Sequence, residues 1–495
     1  MKTWARASNE KLRYDAPVVS RYYLETFGCQ MNVHDSDRMG EVLRAHGWTA
    51  VDSAEDAELV VFNTCSVREK AEQKLRSEVG KLAPLKAARP DLVIAVAGCV
   101  AQQEGEKLLK RVAHIDIVVG PDNILELPKL VQEQLAGAPP RARTEFDLVE
   151  TSFLSASPEA GRTPASAMVT TMKGCDERCS FCIVPYTRGP ERYRPAAEIV
   201  NEVAKWVSSG AQEVLLLGQT VDSYRDESLP PPESDNPDES QFPSLLRVIA
   251  ESVPGLKRLR YTSPHPRHAT ASLARAHAEV GILAHHIHLP VQSGSNRVLK
   301  RMIRRYTREE FVIRARRLLA AQPDMTMSTD IIVGFPGETD EDFEATLSLI
   351  REVGFTALFG FKYSPRPYTP ALHLVDDVPE SVKAQRLARL FETIELQGAA
   401  HLQGLIGRQE WVLFEGASKT DKNVGGLRRF QGRTLRNEIV HVQIPSEYDL
   451  TNVMALATIA RANKHSLEGE LEGDRMETLP RRMRTSRSLP LVRQT

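Results

Sequence analysis

The stretch Lys173-Gly-Cys-Asp-Glu-Arg-Cys-Ser-Phe-Cys182 places three thiols, Cys175, Cys179 and Cys182, in a C-x3-C-x2-C run. It follows Ala167–Met172, an apolar run that predicts a buried strand. Closely spaced cysteines in a long chain indicate metal or redox chemistry more than a disulfide framework. Zinc is the alternative, but structural zinc usually takes four ligands. No fourth cysteine lies in this part of the chain, and no histidine lies close to the run.

The other three cysteines of the chain, Cys29, Cys65 and Cys99, each lie just past a short apolar run. Such runs suit a buried parallel sheet, and the carboxyl ends of parallel strands share one edge. We therefore expect these thiols to converge on one site, although three separately buried structural cysteines are the alternative. A closed Fe–S site takes four thiolates, so either set of three would leave one iron open. Two such sites indicate clusters that take part in chemistry.

The composition is that of an ordinary soluble globular protein. The 495 residues are 41% apolar and 26% charged, and 64 Lys and Arg nearly cancel 65 Asp and Glu. No apolar stretch approaches the roughly 18 residues that span a membrane, and Met1–Ser20 lacks the hydrophobic core of a signal peptide. We expect a cytoplasmic protein of two to four domains with no membrane association.

Residues 20–138 alternate strand and helix patterns, which predicts a small doubly wound α/β domain. We expect Asp35 or Ser36 to cap its first helix. The predicted strands are Tyr22–Phe27, Leu59–Asn63, Leu92–Ala97 and Ile115–Val119. The predicted helices are Asp35–His46, Ser66–Leu82 and Ala101–Val112. Residues 139–165 are rich in Pro, Ser, Ala and Gly, and we interpret them as a linker.

A second α/β repeat over residues 166–403 predicts a partial (β/α)6 barrel. The predicted strands are Ala167–Met172, Glu213–Leu217, Lys257–Thr262, His286–Pro290, Met327–Val333 and Ala357–Tyr363. The predicted helices include Pro195–Ser208, Ser295–Met302, Arg308–Ala321, Asp340–Val353 and a connecting helix, Val382–Leu405. The acidic, proline-rich stretch Arg225–Ser240 is expected to form a surface loop.

The pattern changes to short β runs over residues 405–468, which predicts a small β-barrel. The predicted strands are Glu410–Phe414, Asn437–Ile444 and Met454–Arg461. Lys419–Arg436 carries six Lys and Arg against one Asp, a charge pattern compatible with nucleic acid. Residues 469–495 are charged and aperiodic, and we expect them to be disordered.

The C-x3-C-x2-C spacing and its position after a strand resemble the radical S-adenosylmethionine (SAM) superfamily. The resemblance implies a 4Fe-4S cluster held by Cys175, Cys179 and Cys182, whose open iron chelates SAM. Gln219, which follows the next predicted strand, is a candidate contact for the amino group of SAM. Asp330–Glu338 would offer backbone close to the same ligand.

From about Tyr22 to Glu468 the chain resembles the methylthiotransferase family of radical-SAM enzymes. The matching stretches are Thr26-Phe-Gly-Cys-Gln-Met-Asn-Val-His-Asp35, Phe62–Ala71, Ala97–Gln102, Gly174–Gly189, Leu289–Asn296, Thr329–Glu338 and Tyr363–Pro367. The resemblance implies an N-terminal methylthiotransferase domain, a radical-SAM barrel and a C-terminal TRAM domain for RNA. Within the family, the chain most resembles the subgroup that modifies dimethylallyladenosine in tRNA. The stretches that carry this resemblance are Asn63–Glu69, Cys182–Gly189, Gly432–Thr434 with Asn437, and His465–Leu467.

The reaction implied by the resemblance adds a methylthio group to C2 of N(6)-dimethylallyladenosine next to the anticodon, with two SAM and two 4Fe-4S clusters. Cys29, Cys65 and Cys99 would bind the auxiliary cluster that carries the sulfur. The implied partners are a tRNA anticodon stem-loop and a flavodoxin- or ferredoxin-like electron donor, and we expect a monomer. Arg433 and Arg436 are the leading candidates for contacts to RNA phosphates.

The sequence departs from the family pattern at three places. Tyr368 stands where glycine is expected, Ser263-Pro-His-Pro266 has an extra proline, and Thr220 replaces the usual asparagine. Two sister activities remain as alternatives, namely methylthiolation of threonylcarbamoyl-adenosine in tRNA and of a ribosomal-protein aspartate. Ser66-Val67 differs from the Gly-Phe pair usual in the protein-modifying type. A non-catalytic Fe–S RNA-binding module is the alternative from another class, and the C-x3-C-x2-C run disfavours it.

Overall fold

The structure is a computed structural model that describes residues 20–66, 69–146, 163–234, 236–322, 324–421, 425–471 and 480. The middle of the predicted linker, residues 147–162, and nearly all of the predicted disordered tail lie outside the described residues. Within the described part, none of the helices has the length and apolar character needed to cross a bilayer.

The N-terminal unit is a six-stranded parallel sheet with helices on both faces, as the sequence predicts. In spatial order the strands are Thr49–Ala50, Arg21–Phe27, Leu59–Thr64, Val93–Gly98, Ile117–Val119 and Arg141–Arg143. The helices are Gln30–Ala45, Glu69–Lys81, Ala83–Ala88, Cys99–Glu104, Glu106–Arg111 and Leu127–Leu135. Separate apolar clusters pack on the two faces, which identifies a doubly wound sheet. The first and last strands of this order were not predicted, because two or three residues carry no readable alternation.

Two local predictions in this unit are wrong. The first helix begins at Gln30 with Cys29 at its N-cap, so neither Asp35 nor Ser36 caps it. Both side chains are buried within the helix and make tertiary contacts instead; Ser36 Oγ, for example, lies 2.7 Å from Thr26 Oγ1. The predicted helix Ala101–Val112 is divided in two at Gly105, whose φ of +51° ends the first segment.

The central unit contains six parallel strands in sequential order, which confirms the partial (β/α)6 barrel. The strands are Ser166–Thr170, Glu213–Leu217, Arg258–Tyr261, His286–His288, Thr326–Val333 and Ala357–Lys362. They form two three-stranded sheets that a parallel bridge between Leu259 and Leu283 joins. The helices are Val184–Arg188, Ala196–Ser208, Phe242–Ser252, Ala271–Glu279, Asn296–Arg301, Arg308–Ala321 and Asp340–Val353. Met172, predicted as the end of the first strand, belongs instead to a short strand, Met172–Lys173, that pairs with Arg192–Tyr193 beside the cysteine run.

The C-terminal unit is a closed five-stranded β-barrel, which the helix Glu380–Gln403 connects to the central unit. Its strands are Gln409–Ala417, Leu427–Arg433, Ile439–Pro445, Val453–Ala462 and Leu467–Leu471. The second and fifth were not predicted; Leu427–Arg433 has few apolar residues, and only Phe430 and Gly432 are buried. The barrel interior is apolar and includes Val412, Phe414 and Val440.

The small barrel docks against the amino ends of the central strands through a buried polar network. Arg260 donates to the carbonyl of Thr434 (2.6 Å) and pairs with Glu213 (2.7 Å). Arg436 pairs with Asp324 (3.0 Å) and Glu410 (2.6 Å), and its side chain is 5% exposed. The predicted phosphate contact at Arg436 is therefore wrong, because a side chain that is 5% exposed and pairs with carboxylates is not accessible to RNA.

Candidate functional site

Cys29, Cys65 and Cys99 lie at the carboxyl ends of three neighbouring strands, and the structure brings them together as the sequence predicts. A hydrogen bond with Cys65 lowers the pKa of Cys29 to about 6 against the effect of burial, and burial raises the pKa of Cys99. Gly28 permits this convergence, since a Cβ there would lie 2.7 Å from Cys65 Cβ. All six cysteines are free thiols.

Two asparagines support the first triad. Asn32 Nδ2 donates to Asn63 Oδ1 (3.1 Å), and Asn63 Nδ2 donates to the Asn32 carbonyl (2.7 Å). Asn32 Oδ1 also accepts from the backbone N–H of Cys29 (3.4 Å). Both asparagines are fully buried. This exchange ties the first turn of the helix Gln30–Ala45 to the end of the strand Leu59–Thr64, beside Cys29 at the helix N-cap.

The second triad lies on the loop that follows the first barrel strand, and three polar groups hold this loop. Cys175 Sγ lies 2.9 Å from Thr220 Oγ1, and Arg304 Nη1 donates to Cys179 Sγ (3.2 Å). The backbone N–H of Gly174 donates to Gln219 Oε1 (2.5 Å). Thr220, one of the departures from the family pattern, thus contacts a cysteine directly.

Burial strongly affects the protonation of two cysteines of the second triad, Cys175 and Cys182. It raises the pKa of Cys175, and it raises the pKa of Cys182 to about 12, with the neighbouring cysteines adding to both shifts. Cys175 and Cys182 would therefore be neutral thiols in the apoprotein at pH 7. Thiolates become stable there when a cation neutralises them, which is what bound iron does.

Arg188 joins the two triads. It ends the helix Val184–Arg188, which begins two residues after Cys182, and it crosses into the N-terminal unit. Its Nε donates to Cys99 Sγ (3.3 Å), and its Nη2 donates to Asp35 Oδ2 (2.6 Å). Burial alone would lower the pKa of Arg188, but Asp35 and Cys99 together raise it. A permanent positive charge therefore lies against the first triad.

The donor sets fit open iron–sulfur clusters. Among the described residues, no group of three His, Cys, Asp or Glu side chains could hold a single metal ion. An Fe–S cluster does not require three ligands around a single ion, because each thiolate binds a separate iron. Gln219 Nε2 and Arg188 Nη1 are buried and have no hydrogen-bond partner among the described residues, so donors remain for a ligand at each site.

Sequence reasoning missed Arg188 and Arg304 as site residues. The sequence separations of the two hydrogen-bonded pairs, 89 and 125 residues, leave no local signal. The only available indication was the position of Arg188 within Cys182–Gly189, a stretch that matches the family. Arg433, the other predicted phosphate contact, is half-buried and pairs with Glu415 (3.0 Å).

Two family models match the chain in succession. Residues 21–120 match Uncharacterized protein family UPF0004, and residues 169–350 match the Radical SAM superfamily. The first match contains Cys29, Cys65 and Cys99, and the second contains the C-x3-C-x2-C run.

Curated relatives match almost the whole chain. A tRNA-2-methylthio-N(6)-dimethylallyladenosine synthase of Sorangium cellulosum is 59% identical over 95% of this chain and 99% of its own length. The synthase of the same description from Bordetella bronchiseptica is 44% identical over 94% of each chain.

Among solved structures, the fold is similar to the radical S-adenosylmethionine methyltransferase TsrM from Kitasatospora setae with cobalamin and a [4Fe-4S] cluster bound. The TM-score is 0.51 at 15% identity, covering 83% of this chain and 80% of that one. At this identity the likeness concerns the fold alone.

Proposed function

The chain belongs to the tRNA-2-methylthio-N(6)-dimethylallyladenosine synthase family, and we propose that its two cysteine triads hold the two 4Fe-4S clusters of that reaction. The enzyme adds a methylthio group to C2 of N(6)-dimethylallyladenosine in tRNA, next to the anticodon, and uses SAM. The observation that carries the assignment of the triads is the contact from Arg188 to Cys99, which couples the barrel's cysteine loop to the first triad.

Cys175, Cys179 and Cys182 would hold the cluster that binds SAM. When bound, this cluster supplies the electron that cleaves the sulfonium of SAM and yields a 5′-deoxyadenosyl radical. Gln219 holds the loop through its oxygen, which the N–H of Gly174 already occupies. Its buried Nε2 is the group left for a ligand, and an N–H donor suits the carboxylate of SAM better than the amino group that we expected from the sequence.

Cys29, Cys65 and Cys99 would hold the auxiliary cluster, which would supply the sulfur for the reaction of this family. Arg188 orients Cys99 and would place a positive charge beside the thiolates that hold this cluster. Arg188 also links the two units, because it is anchored by Asp35, which lies in the helix that Cys29 caps. We propose that this link keeps the two triads on one shared site for the tRNA base.

The C-terminal barrel fits a TRAM domain that binds the tRNA anticodon stem-loop. Arg433 remains the candidate for a phosphate contact, since a third of its side chain is exposed. We expect Arg433→Glu to weaken tRNA binding and to reduce its salt dependence. Unchanged affinity would exclude the contact. A flavodoxin- or ferredoxin-like electron donor, a monomeric state and a cytoplasmic location complete the proposal.

Nucleoside mass spectrometry of tRNA from cells that lack this protein tests the function. We expect the methylthio mark to disappear from the dimethylallyl nucleoside and to return with the wild-type gene. Survival of that mark, with loss from threonylcarbamoyl-adenosine or from a ribosomal-protein aspartate, would assign one of the sister activities instead.

A further inference from the structure

Tyr368 is a bulky residue in a backbone conformation that favours glycine. Its φ is +67°, in the left-handed region, and the residue is 51% exposed. A side chain of this size is a true outlier there, whereas glycine adopts the conformation freely. A tyrosine that only filled space would be buried, so exposure combined with strain indicates a role in binding.

The turn that carries Tyr368 is fixed against the loop of the second triad. Thr369 Oγ1 donates to the carbonyl of Arg366 (2.7 Å), which closes the turn. The backbone N–H of Ala371 donates to the carbonyl of Ser180 (2.8 Å), and Ser180 directly follows Cys179. The turn that carries Tyr368 therefore lies beside the loop of the second triad.

Two further side chains complete a surface that we name the tyrosine platform, consisting of Tyr368, Tyr186 and Lys107. The two rings lie 6.0 Å apart between centroids and are tilted by 35°. Lys107 Nζ lies 6.0 Å from the centre of the Tyr368 ring. Tyr186 is 40% exposed and lies between Cys182 and Arg188 in sequence, whereas Lys107 belongs to the helix after the one that Cys99 begins.

The platform thus combines exposed aromatic surface with a cation at the junction of the two cysteine-bearing units. The helices Cys99–Glu104 and Val184–Arg188 are in contact at this junction. RNA-binding proteins recognise unstacked loop bases with aromatic rings and meet the adjacent phosphates with lysine. The charge and shape of the platform match that type of ligand.

We propose that the tyrosine platform stacks a base that neighbours the target adenosine in the anticodon loop, with Lys107 facing its phosphate. This proposal rests on the proposed function. The target base has to leave its stack to reach the clusters, and its neighbour then loses a stacking partner. The Tyr368 ring replaces that partner, which holds the loop open.

The test uses the holoenzyme, reconstituted with both clusters, and a prenylated anticodon stem-loop carrying 2-aminopurine at either neighbour of the target adenosine. Stacking on a tyrosine ring changes the fluorescence of 2-aminopurine. Tyr368→Gly removes the ring and relaxes the backbone, so its thermal midpoint should not fall. Leu372→Ala is the matched control, since Leu372 is 47% exposed in the same segment and lies outside the platform.

We expect the 2-aminopurine fluorescence to change when the stem-loop binds wild-type enzyme or Leu372→Ala. Tyr368→Gly should bind the stem-loop roughly tenfold more weakly and should not change the fluorescence, because a loss of affinity of this size is typical when one base–aromatic stack is removed. Tyr186→Leu should have the same direction of effect. If Tyr368→Gly showed wild-type affinity and a wild-type fluorescence change, the stacking role of the tyrosine platform would be excluded and the proposed function would be unaffected. Failure of wild-type enzyme to bind or modify the stem-loop would overturn the proposed function together with it.

Discussion

Arg188 Nε donates to Cys99 Sγ across 3.3 Å, from the barrel unit into the N-terminal unit. The guanidinium is 3% exposed and is anchored on Asp35. Hydrogen bonds and positive charge at a ligand sulfur stabilise the reduced form of a cluster. One side chain thus connects the loop of one proposed cluster to a ligand of the other.

Replacement of Arg188 should lower the reduction potential of the auxiliary cluster. The loss of a charged hydrogen bond predicts a decrease on the order of 50–100 mV in Arg188→Met. An EPR-monitored redox titration measures it in a background with Cys175, Cys179 and Cys182 replaced, so that only one cluster forms. Arg188→Lys, which keeps the charge, should fall between wild type and Arg188→Met. Equal potentials in all three proteins would show that Arg188 does not act on the cluster.

Replacement of Gln219 should weaken SAM binding without loss of either cluster. In Gln219→Glu the donor Nε2 is gone while the oxygen that accepts from Gly174 remains. We expect roughly tenfold weaker SAM binding, the effect of one charge-assisted hydrogen bond. Isothermal titration with SAM measures the affinity, and iron content reports cluster retention. Unchanged affinity would remove Gln219 from the SAM site.

Removal of Arg436 should destabilise the docking of the C-terminal barrel. Arg436→Ala leaves Glu410, Glu438 and Asp324 without their shared cation, and breaking a buried pair of this kind costs about 3–5 kcal/mol. Thermal unfolding of the full chain should show a lower midpoint, and proteolysis should cut first at the connection to the barrel. Arg433→Ala, at a half-exposed pair, is the control and should change the midpoint little. A wild-type midpoint in Arg436→Ala would contradict the docking role.

The same network predicts acid sensitivity. Burial opposes ionisation of Glu438, yet the hydrogen bond from His401 and the charge of Arg436 lower its pKa to about 2. A carboxyl with a depressed pKa stabilises the fold above its unfolded pKa, and this contribution is lost as the pH falls from about 4.5 towards 2. We expect the apoprotein to lose on the order of 3 kcal/mol over that window from this group. Glu438→Gln should show a flatter dependence of unfolding free energy on pH, and a slope as steep as that of wild type would contradict the prediction.

The convergence of Cys29, Cys65 and Cys99 could be predicted from the sequence because it depends only on local strand patterns. Each cysteine follows a buried strand, and parallel strands present their carboxyl ends at one edge. The helices Arg308–Ala321 and Asp340–Val353 were predicted at their observed bounds, and capping boxes at Thr307 and Thr339 define their starts.

What the sequence could not predict depends on contacts between distant segments. The partners of Arg188 and Arg304 are 89 and 125 residues away, and no periodicity encodes them. Arg436 looked like an exposed basic residue in a basic stretch, but docking of two units buries it against carboxylates from both. The positive φ of Tyr368 was not predicted either, although Tyr368 stands where the family pattern has glycine.

The most direct test compares two triple variants after reconstitution with iron and sulfide. In Cys29→Ala/Cys65→Ala/Cys99→Ala, we predict one cluster per chain instead of two, continued formation of 5′-deoxyadenosine from SAM, and no methylthiolated nucleoside. In Cys175→Ala/Cys179→Ala/Cys182→Ala, we predict one cluster and loss of both products. Methylthiolated product from the first variant, or SAM cleavage by the second, would contradict the assignment of the two triads.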